Sequence, residues 1–327
     1  MKPILKAGNL AFRITRATVV TVLFIAMLSI GAVSVSGFFS GVCTPFELAS
    51  HFRVVYVAIF FGLTLFLLCL KQRLGTAMAA LLLIVNLVPV AYLSIPTWPS
   101  TASKTEDLNI LQCNLQGGKN KNYKKALDLI SKTDPDIVGL SELTQGWAEQ
   151  LETKLTRYPY RVVEPRRGGV SLFSKYPVLK SEVKYFGKLK RPRVVAQLDV
   201  KGQKMDVVFI HPVTPMKSRS WRNRELAEVA DDAKRFENPG IVFGDMNTTP
   251  WSGTFDKLLK DGGLVDSERG FGFQPTWNCK MRVSLLPIDH LLFTPEFAVR
   301  ERRVLGRVGS DHLPVFVRLA YSRVDQS

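Results

Sequence analysis

The ten residues Ile241-Val-Phe-Gly-Asp-Met-Asn-Thr-Thr-Pro250 are the stretch from which the rest of the chain can be interpreted. Its first three residues form an apolar run of the length expected for a buried strand, and Gly244 relieves crowding where that strand ends. The Thr-Thr-Pro sequence cannot continue the strand. Asp245 and Asn247 are therefore predicted to lie at a strand end, where one ion or one water could meet both. A capped turn explains the same pair equally well, because Asp and Asn are common turn residues.

The first hundred residues have the composition of a membrane region, with one acid, Glu47, and seven Lys or Arg. Three long apolar stretches lack charged residues, and about 20 apolar residues suffice to cross a bilayer as a helix. We predict three transmembrane helices, at about 17–39, 54–70 and 74–95, of which the second is marginal in length. The first stretch is longer than the apolar core of a signal peptide and two more follow it, which favours an uncleaved anchor.

Basic residues beside these stretches predict the orientation in the membrane. The positive-inside rule places loops rich in Lys and Arg in the cytoplasm. The N-terminus is then cytoplasmic, and everything after Ile95 lies outside a cell (inner) membrane. The residues that decide this are Lys2, Lys6, Arg13 and Arg16 before the first helix and Lys71 and Arg73 between the second and third, against Arg53 in the intervening loop.

The sequence divides into a membrane region at 1–95, a linker at 96–106 that contains Trp98, and a soluble domain at 107–321. The soluble part carries about +10 of the total net charge of +16. Such a surface suits an anionic partner, nucleic acid or phospholipid headgroups, although excess Lys and Arg also occurs on ordinary solvated surfaces. Its two cysteines, Cys113 and Cys279, could pair outside the cell membrane but form no disulfide framework.

The soluble part alternates many short strands with a few helices, which indicates sheets packed on each other and covered by helices. Strands are predicted at 108–114, 136–140, 160–164, 170–173, 193–200, 205–210, 241–243, 288–294 and 313–320, and helices at 123–132, 147–155, 220–236 and 254–260. Polar residues recur where these strands end or begin. They are Asn114, Glu142, His211, Asp245 and Asn247 after a strand, and Asp311 and His312 before one.

Taken singly, each polar residue has an ordinary structural explanation, such as a helix start, a satisfied buried acid or a turn. Taken together, they form an oxygen-rich set. Glu142, Asn114 and Asp311 supply the carboxylate and amide oxygens that a hard cation such as Mg²⁺ prefers. Zinc is disfavoured, because the His and Cys residues are not at zinc-ligand spacing.

These motifs resemble those of the endonuclease/exonuclease/phosphatase (DNase I-like) superfamily, as a membrane-anchored, bacterial-type member. Six of them occur in the family's order, from residue 108 to 320. They are Gln112-Cys-Asn114, Ser141-Glu142, His211-Pro212, Gly244-Asp-Met-Asn247, Ile288-Asp-His290 and Ser310-Asp-His312. The resemblance implies an α/β fold, a four-layer αββα sandwich, and a Mg²⁺-dependent phosphoester hydrolase in which Mn²⁺ could replace Mg²⁺. Ser141 departs from the family, many members of which have Gln before the glutamate.

The resemblance also implies roles for individual residues. Glu142 matches the principal metal ligand, with Asn114 and Asp311 beside it. Asp245 and Asn247 match the pair that positions the attacking water and the phosphate. His312 matches the histidine on the scissile phosphate, oriented by Asp289, and His211 matches a second active-site histidine.

Several alternatives stay open at the level of sequence. A nuclease or other phosphodiesterase is favoured, and a phospholipid or inositol-phosphate phosphatase shares the same motifs. A tethered binding protein on an inactive hydrolase scaffold is the alternative outside the enzymes. Whether Asp245 or His312 takes the proton of the attacking water is undecided, and no protein partner can be inferred.

Overall fold

A computed structural model describes residues 2–96, 106–281 and 286–322, with side chains from residue 17 onward. The chain divides into two compact units, residues 1–90 and 91–327. Residues 97–105 hold most of the predicted linker, including Trp98, and lie outside the described residues.

The N-terminal unit is helical, with α1 (Lys2–Ser36), α2 (Thr44–His51), α3 (Arg53–Cys69) and α4 (Arg73–Ala91). Two apolar segments, Ala17–Phe39 and Arg73–Ser94, are long enough to cross a membrane, at 23 and 22 residues. Helices α2 and α3 qualify only as a pair bent by 65°. By length and composition, the described residues therefore hold two membrane-crossing helices, or three if the bent pair counts as one span.

The second unit contains two six-stranded sheets. The strands are β1 (Glu106–Asn114), β2 (Ile137–Leu143), β3 (Tyr160–Glu164), β4 (Gly169–Ser174), β5 (Val178–Phe186), β6 (Arg191–Val200), β7 (Gln203–Ile210), β8 (Gly240–Asp245), β9 (Val265–Asp266), β10 (Asp289–Phe293), β11 (Phe297–Val304) and β12 (Val315–Tyr321). The first sheet has the order β11-β12-β1-β2-β4-β3, and the second has the order β5-β6-β7-β8-β10-β9. Strands β1 and β2 run parallel in one sheet, as β7 and β8 do in the other.

Helices cover the outer faces of both sheets. Between the sheets lies the main apolar core, which includes the packed rings of Phe209 and Phe243, 4.9 Å apart. Helices α5 (Tyr123–Thr133) and α6 (Gln145–Lys154) cover the first sheet, and α7 (Pro215–Lys234) and α8 (Gly253–Gly262) cover the second. The expected αββα sandwich is confirmed.

Three strands were not predicted from the sequence. The edge strand β5 is largely exposed and β11 is charged over much of its length, so neither carries a clear apolar signal. Strand β9 has two residues. Helix α7 begins at Pro215 rather than 220, because Thr214 caps it and a break at Ser218 separates the first turn from the rest.

Candidate active site

Parallel strand ends bring the polar residues of the two sheets together. Asn114 ends β1 and Glu142 lies near the end of its parallel neighbour β2. In the other sheet His211 follows β7, and Asp245 ends β8 beside it. Asp289 begins the antiparallel strand β10 and is the direct partner of Asp245.

The backbone at this edge adopts conformations that ordinary residues avoid. Glu142 has a φ of 54° and Asn247 a φ of 51°, although neither is glycine. Glu142 lies at a bulge where the register of β2 against β4 shifts, and bulges re-aim side chains. Backbone strain of this kind persists where the surrounding structure enforces it, commonly at functional sites.

The Asn114 amide links the acids of the two sheets. Its Nδ2 donates to Glu142 Oε1 (3.1 Å) and to Asp245 Oδ2 (2.9 Å). Its Oδ1 accepts from the backbone N–H of Gln116 at 2.9 Å. In this arrangement the Asn114 nitrogen orients two carboxylates, while its oxygen is engaged with the backbone.

His312 and Asp289 form a buried ion pair. His312 Nδ1 lies 2.8 Å from Asp289 Oδ2, and Gln112 Nε2 donates to the other carboxylate oxygen at 2.7 Å. Burial alone would lower the pKa of His312, but the charges of Asp289 and Asp245 outweigh it and raise that pKa to about 10. Burial would likewise raise the pKa of Asp289, but His312 outweighs it and lowers that pKa. The imidazole is therefore positively charged at neutral pH, and its Nε2 lies 3.6 Å from Asp245.

Asp245 differs from Asp289 in its protonation. Burial raises the pKa of Asp245 to about 7, and His312 and the Asn114 amide only partly offset this. Asn247 holds the other carboxylate oxygen through its backbone N–H at 3.0 Å, while its side-chain amide donates to the Pro212 carbonyl. Asp245 can thus gain or lose a proton near neutral pH, as a general base must.

His211 is neutral and has a fixed tautomer. Arg191 Nη2 lies 2.7 Å from His211 Nδ1, and a guanidinium can only donate, so the ring proton is on Nε2. A 3.3 Å contact from Nδ1 to the Gly168 carbonyl would require the other tautomer, and the shorter contact with a permanent charge decides between them. Burial, and then the charge of Arg191, hold the His211 pKa well below its ordinary value. Nε2 faces Asp245 at 3.5 Å and Glu142 at 3.7 Å.

Asp311 stands apart from this network. Its carboxylate accepts a hydrogen bond from the indole Nε1 of Trp277 at 3.2 Å, and among the described residues it contacts neither Glu142 nor Asn114 through a hydrogen bond. The geometry therefore joins seven of the eight predicted site residues and leaves Asp311 beside His312. The individual roles of all eight stay predictions.

The site fits a hard divalent cation at Glu142. The Glu142 side chain is 37% exposed and borders a cleft of about 440 Å³, whereas Asp245 is buried. A partly solvated carboxylate beside further oxygen donors suits an ion that keeps waters and also binds phosphate. Asp245, Asp289 and His312 also lie within metal-binding reach of one another. His312 is protonated in its ion pair with Asp289, and metals bind neutral imidazole. The three residues therefore form a proton-transfer group rather than a set of metal ligands.

Sequence reasoning missed three residues of the site: Gln112 on Asp289, Arg191 on His211 and Trp277 on Asp311. Only Gln112 carried a signal, since it belongs to the first motif. Two further arginines near the site, Arg193 and Arg222, are buried and bind groups of the protein itself rather than a substrate phosphate. Arg193 pairs with Asp232 and Glu228, and Arg222 donates to the Asn247 carbonyl. Cys113 and Cys279 are buried, and the described structure has no disulfide between them.

Comparison with known proteins gives a family match that spans the site. A family model described as the Endonuclease/Exonuclease/phosphatase family matches residues 111–312, a range that includes every residue of the site. No curated protein matches the chain with significant sequence similarity.

Solved structures with the same fold come from animals and bacteria. D. rerio TDP2 complexed with a single-strand DNA product is 19% identical, with 65% of this chain and 99% of that chain covered and a TM-score of 0.57. A Beutenbergia cavernae endonuclease/exonuclease/phosphatase is 23% identical, with coverages of 66% and 72% and a TM-score of 0.55. A Bacteroides thetaiotaomicron family protein is 17% identical, with coverages of 68% and 97% and a TM-score of 0.56. At these identities the likeness concerns the fold.

The family model covers more than half of the chain, from the first strand motif to the histidine before the last strand. The chain therefore belongs to the endonuclease/exonuclease/phosphatase family, whose members hydrolyse phosphoester bonds and depend on a divalent metal ion.

Proposed function

We propose that the chain is a membrane-anchored, Mg²⁺-dependent phosphodiesterase that cleaves its substrate by in-line attack of water. One observation carries the proposal above all. Asp245, with a pKa raised to about 7, lies 3.6 Å from a His312 that Asp289 keeps positively charged. A group that can accept a proton thus stands beside a group that can stabilise negative charge.

The two residues divide the chemistry between them. Attack on a phosphodiester places negative charge on the equatorial oxygens, and the protonated His312 would stabilise that charge through Nε2. Asp245 would take the proton of the attacking water, because His312 is already protonated at neutral pH and cannot accept another. This division favours Asp245 over His312 as the general base, which the sequence left open.

Glu142 would hold the metal ion, with Asp311 as a further ligand and Asn114 orienting Glu142. When bound, Mg²⁺ or Mn²⁺ supplies charge that stabilises the phosphoryl oxygens in the transition state. His211 keeps its proton on Nε2, which faces the carboxylates of Glu142 and Asp245.

The cleft beside Glu142 favours an anionic substrate. Arg167, Arg191 and Lys217 contribute to its lining, and its volume of about 440 Å³ is that of a small-ligand pocket. We favour a phosphodiester of nucleic acid, because the D. rerio neighbour carries a single-strand DNA product on the same fold. A phospholipid headgroup fits the same charge pattern, and the enzyme would meet it readily at a membrane.

The test is a substrate panel with the full-length chain in detergent. Single-stranded DNA, RNA, sphingomyelin and inositol phosphates would each be incubated with Mg²⁺, with Mn²⁺ and with EDTA. We expect metal-dependent hydrolysis of nucleic acid. Glu142→Gln should lower kcat/KM by about 10²–10³-fold, the usual effect of losing one electrostatic group at the reacting centre.

Glu152→Gln is the matched control, because it makes the same change on the exposed face of α6. Hydrolysis that persists in EDTA, or equal losses in the two variants, would refute the proposed chemistry. Exclusive cleavage of sphingomyelin or inositol phosphates would keep the chemistry and change the substrate.

A further inference from the structure

A second cluster of ligand-type side chains lies behind the active site, in the second sheet. Asp266 ends β9, Glu268 follows it in the loop, and His290 is the second residue of β10. Their ligand atoms all lie within 4.8 Å of one another. All three are buried, with 3%, 0% and 1% of their surface exposed. We call these three residues the rear cluster.

Each member of the rear cluster uses one polar atom and leaves another without a partner. Asp266 Oδ1 accepts from the N–H of Glu268 at 2.9 Å, and Glu268 Oε1 accepts from the N–H of Gln274 at 2.9 Å. Asp266 Oδ2, Glu268 Oε2 and His290 Nδ1 have no hydrogen-bond partner in the described parts of the chain. A buried polar atom left in this way costs about 1–3 kcal/mol.

The orientation of His290 shows that its unpartnered atom is a bare lone pair. His290 Nε2 lies 2.9 Å from the Thr248 carbonyl oxygen, which can only accept. The ring proton is therefore on Nε2, and Nδ1 presents an acceptor. The ring is held further by Phe255, whose centroid lies 4.5 Å away.

The neighbouring guanidinium does not satisfy these atoms. Arg302 donates to Ser267 Oγ, to the side-chain oxygen of Gln274 and to the carbonyl of Asp289. Its closest approach to Glu268 Oε2 is 3.7 Å, too long for a hydrogen bond. Two carboxylates face this single fixed cation, so the rear cluster keeps an excess of one negative charge when both are ionised.

Three converging acceptors with no donor among them need a cation. A proton on Glu268 would let that carboxyl donate one hydrogen bond, to either Asp266 or His290. The remaining acceptor would still have no partner. A divalent ion would bind all three. Two carboxylate oxygens and one neutral imidazole nitrogen make a donor set suited to a first-row transition ion, whereas Mg²⁺ and Ca²⁺ prefer oxygen alone.

We propose that Asp266, Glu268 and His290 bind a structural divalent transition-metal ion, with Zn²⁺ as the best fit, at a site separate from Glu142 and its neighbours. The ion would tie β9 and the loop after it to β10. His290 directly follows Asp289, and Arg302 binds the Asp289 carbonyl, so this tie would fix the strand that positions the His312 ion pair. Because the rear cluster is closed to solvent, the ion would enter during folding and exchange slowly.

Metal content of the full-length chain tests the proposal. The chain would be produced with Zn²⁺ in the medium, purified in detergent, and treated with EDTA under native conditions before elemental analysis. We expect about one equivalent of zinc to survive this treatment and to be released when the chain is unfolded in guanidinium. A parallel preparation with Mn²⁺ reports whether the rear cluster distinguishes the two ions.

Variants separate this ion from one at the active site. His290→Gln and Asp266→Asn should each lose the retained equivalent, whereas Glu142→Gln should keep it. Refolding the wild-type chain without metal should lower its melting temperature, and added Zn²⁺ should restore it, because an ion that binds only the folded state stabilises it. This measurement uses the wild-type chain alone, so it tests the proposal even if a variant fails to fold.

Two results would overturn the proposal. One is a folded wild-type chain with no retained metal and a melting temperature that Zn²⁺ and Mn²⁺ leave unchanged, which would mean that a proton on Glu268 closes the cluster. The other is retention of the same metal content by His290→Gln. Neither readout depends on hydrolysis, so the outcome is independent of the proposed phosphodiesterase activity.

Discussion

At the scale of single residues, the ion pair of His312 and Asp289 is the part of the site whose geometry most directly constrains the chemistry. The two side chains are buried and 2.8 Å apart, and Gln112 holds the far oxygen of Asp289. With Nδ1 of His312 bound to Asp289, its other ring nitrogen, Nε2, faces Asp245. The two residues should therefore act as one unit, with Asp289 as a positioning residue for His312.

We predict that His312→Ala lowers kcat by about 10²-fold or more, the common size of such a contribution. Asp289→Asn should lower kcat by less, because the imidazole remains. The double variant should be little worse than His312→Ala alone, since coupled residues are not additive. Steady-state kinetics of the three variants, beside the exposed control Asp128→Asn, measures this. Additive losses, or melting temperatures that explain the lost activity, would favour a structural role for the pair.

The same pair predicts a bell-shaped pH profile. Activity should fall below about pH 7, where Asp245 gains a proton, and a bound cation would move this limb lower because it favours the carboxylate. Activity should also fall above about pH 10, where His312 loses its proton. Asp289→Asn removes the neighbouring negative charge and should shift the alkaline limb to lower pH. A limb that stays in place would show that Asp289 does not set the charge of His312.

Motif order predicted residues that the fold brings together, but not how their hydrogen bonds run. Asn114, Glu142, Asp245, Asp289 and His312 meet at one edge because the strands that carry them end there. The tautomer of His211 depends on Arg191, which no motif marks. Zinc was disfavoured from spacing along the sequence, yet the fold brings Asp266, Glu268 and His290 together across two strands and a loop. Contacts of this kind come from strand register, which a single sequence does not specify.

At the scale of elements, the end of β8 depends on Gly244. Its φ is +140°, and a Cβ built there would lie 2.0 Å from the backbone carbonyl oxygen of Ile210 in the neighbouring strand β7. No other residue type fits without moving one of the two parallel strands. Because Asp245 is the next residue, any such movement would displace the proposed general base.

We predict that Gly244→Ala destabilises the chain by about 2–3 kcal/mol, from backbone strain together with the clash. Gly202→Ala is the matched control. It also has a positive φ, +89°, but its added Cβ has no neighbour within 4 Å, so only the conformational cost of roughly 1 kcal/mol applies. Thermal melting of the two variants in detergent measures the difference. Equal shifts would mean that β7 and β8 relax freely around the new methyl group.

The more deeply a strand is buried, the more clearly its sequence pattern predicts it. Strand β8 is buried along its whole length, and its apolar run predicts it from the sequence. Strands β5 and β11 expose many polar and charged residues, because they lie at or near sheet edges where one face contacts solvent. These two strands are defined by their pairing with neighbouring strands. That pairing exists only in the folded sheet and leaves no apolar pattern in the sequence.

At the scale of the whole molecule, if α1 and α4 span a membrane, the side on which the domain lies depends on whether α3 also crosses. Arg53, at the start of α3, is fully buried within the N-terminal unit. It donates to the Ser34 carbonyl at 2.8 Å and to the Asn86 side chain at 3.0 Å, and its guanidinium lies over the ring of Phe38. Buried basic residues in membrane helices pair in this way with carbonyls of neighbouring helices. Arg53 thus ties α3 to α1 and α4, as expected for three helices that cross together.

The number of crossings decides the location of the domain, and two reporter positions test it. With three spans and a cytoplasmic N-terminus, Gln72 between α3 and α4 lies in the cytoplasm and the chain end at Ser327 lies outside. With two spans, α1 and α4, both positions change sides. The charges favour three spans. Arg53 is paired within the helices, so the loop before α3 has no exposed basic residue, while Lys71 and Arg73 flank Gln72.

We therefore expect a reporter that works only outside the membrane to be active after Ser327 and inactive after Gln72, with a cytoplasmic reporter giving the reverse. The Gln72 fusion is the internal control, since it uses the same chain and the same reporter. Activity outside at Gln72 combined with cytoplasmic activity at Ser327 would refute the three-span topology. The domain would then face the cytoplasm, where nucleic acid and nucleotides, rather than extracytoplasmic phosphodiesters, would be the substrates within reach of the cleft beside Glu142.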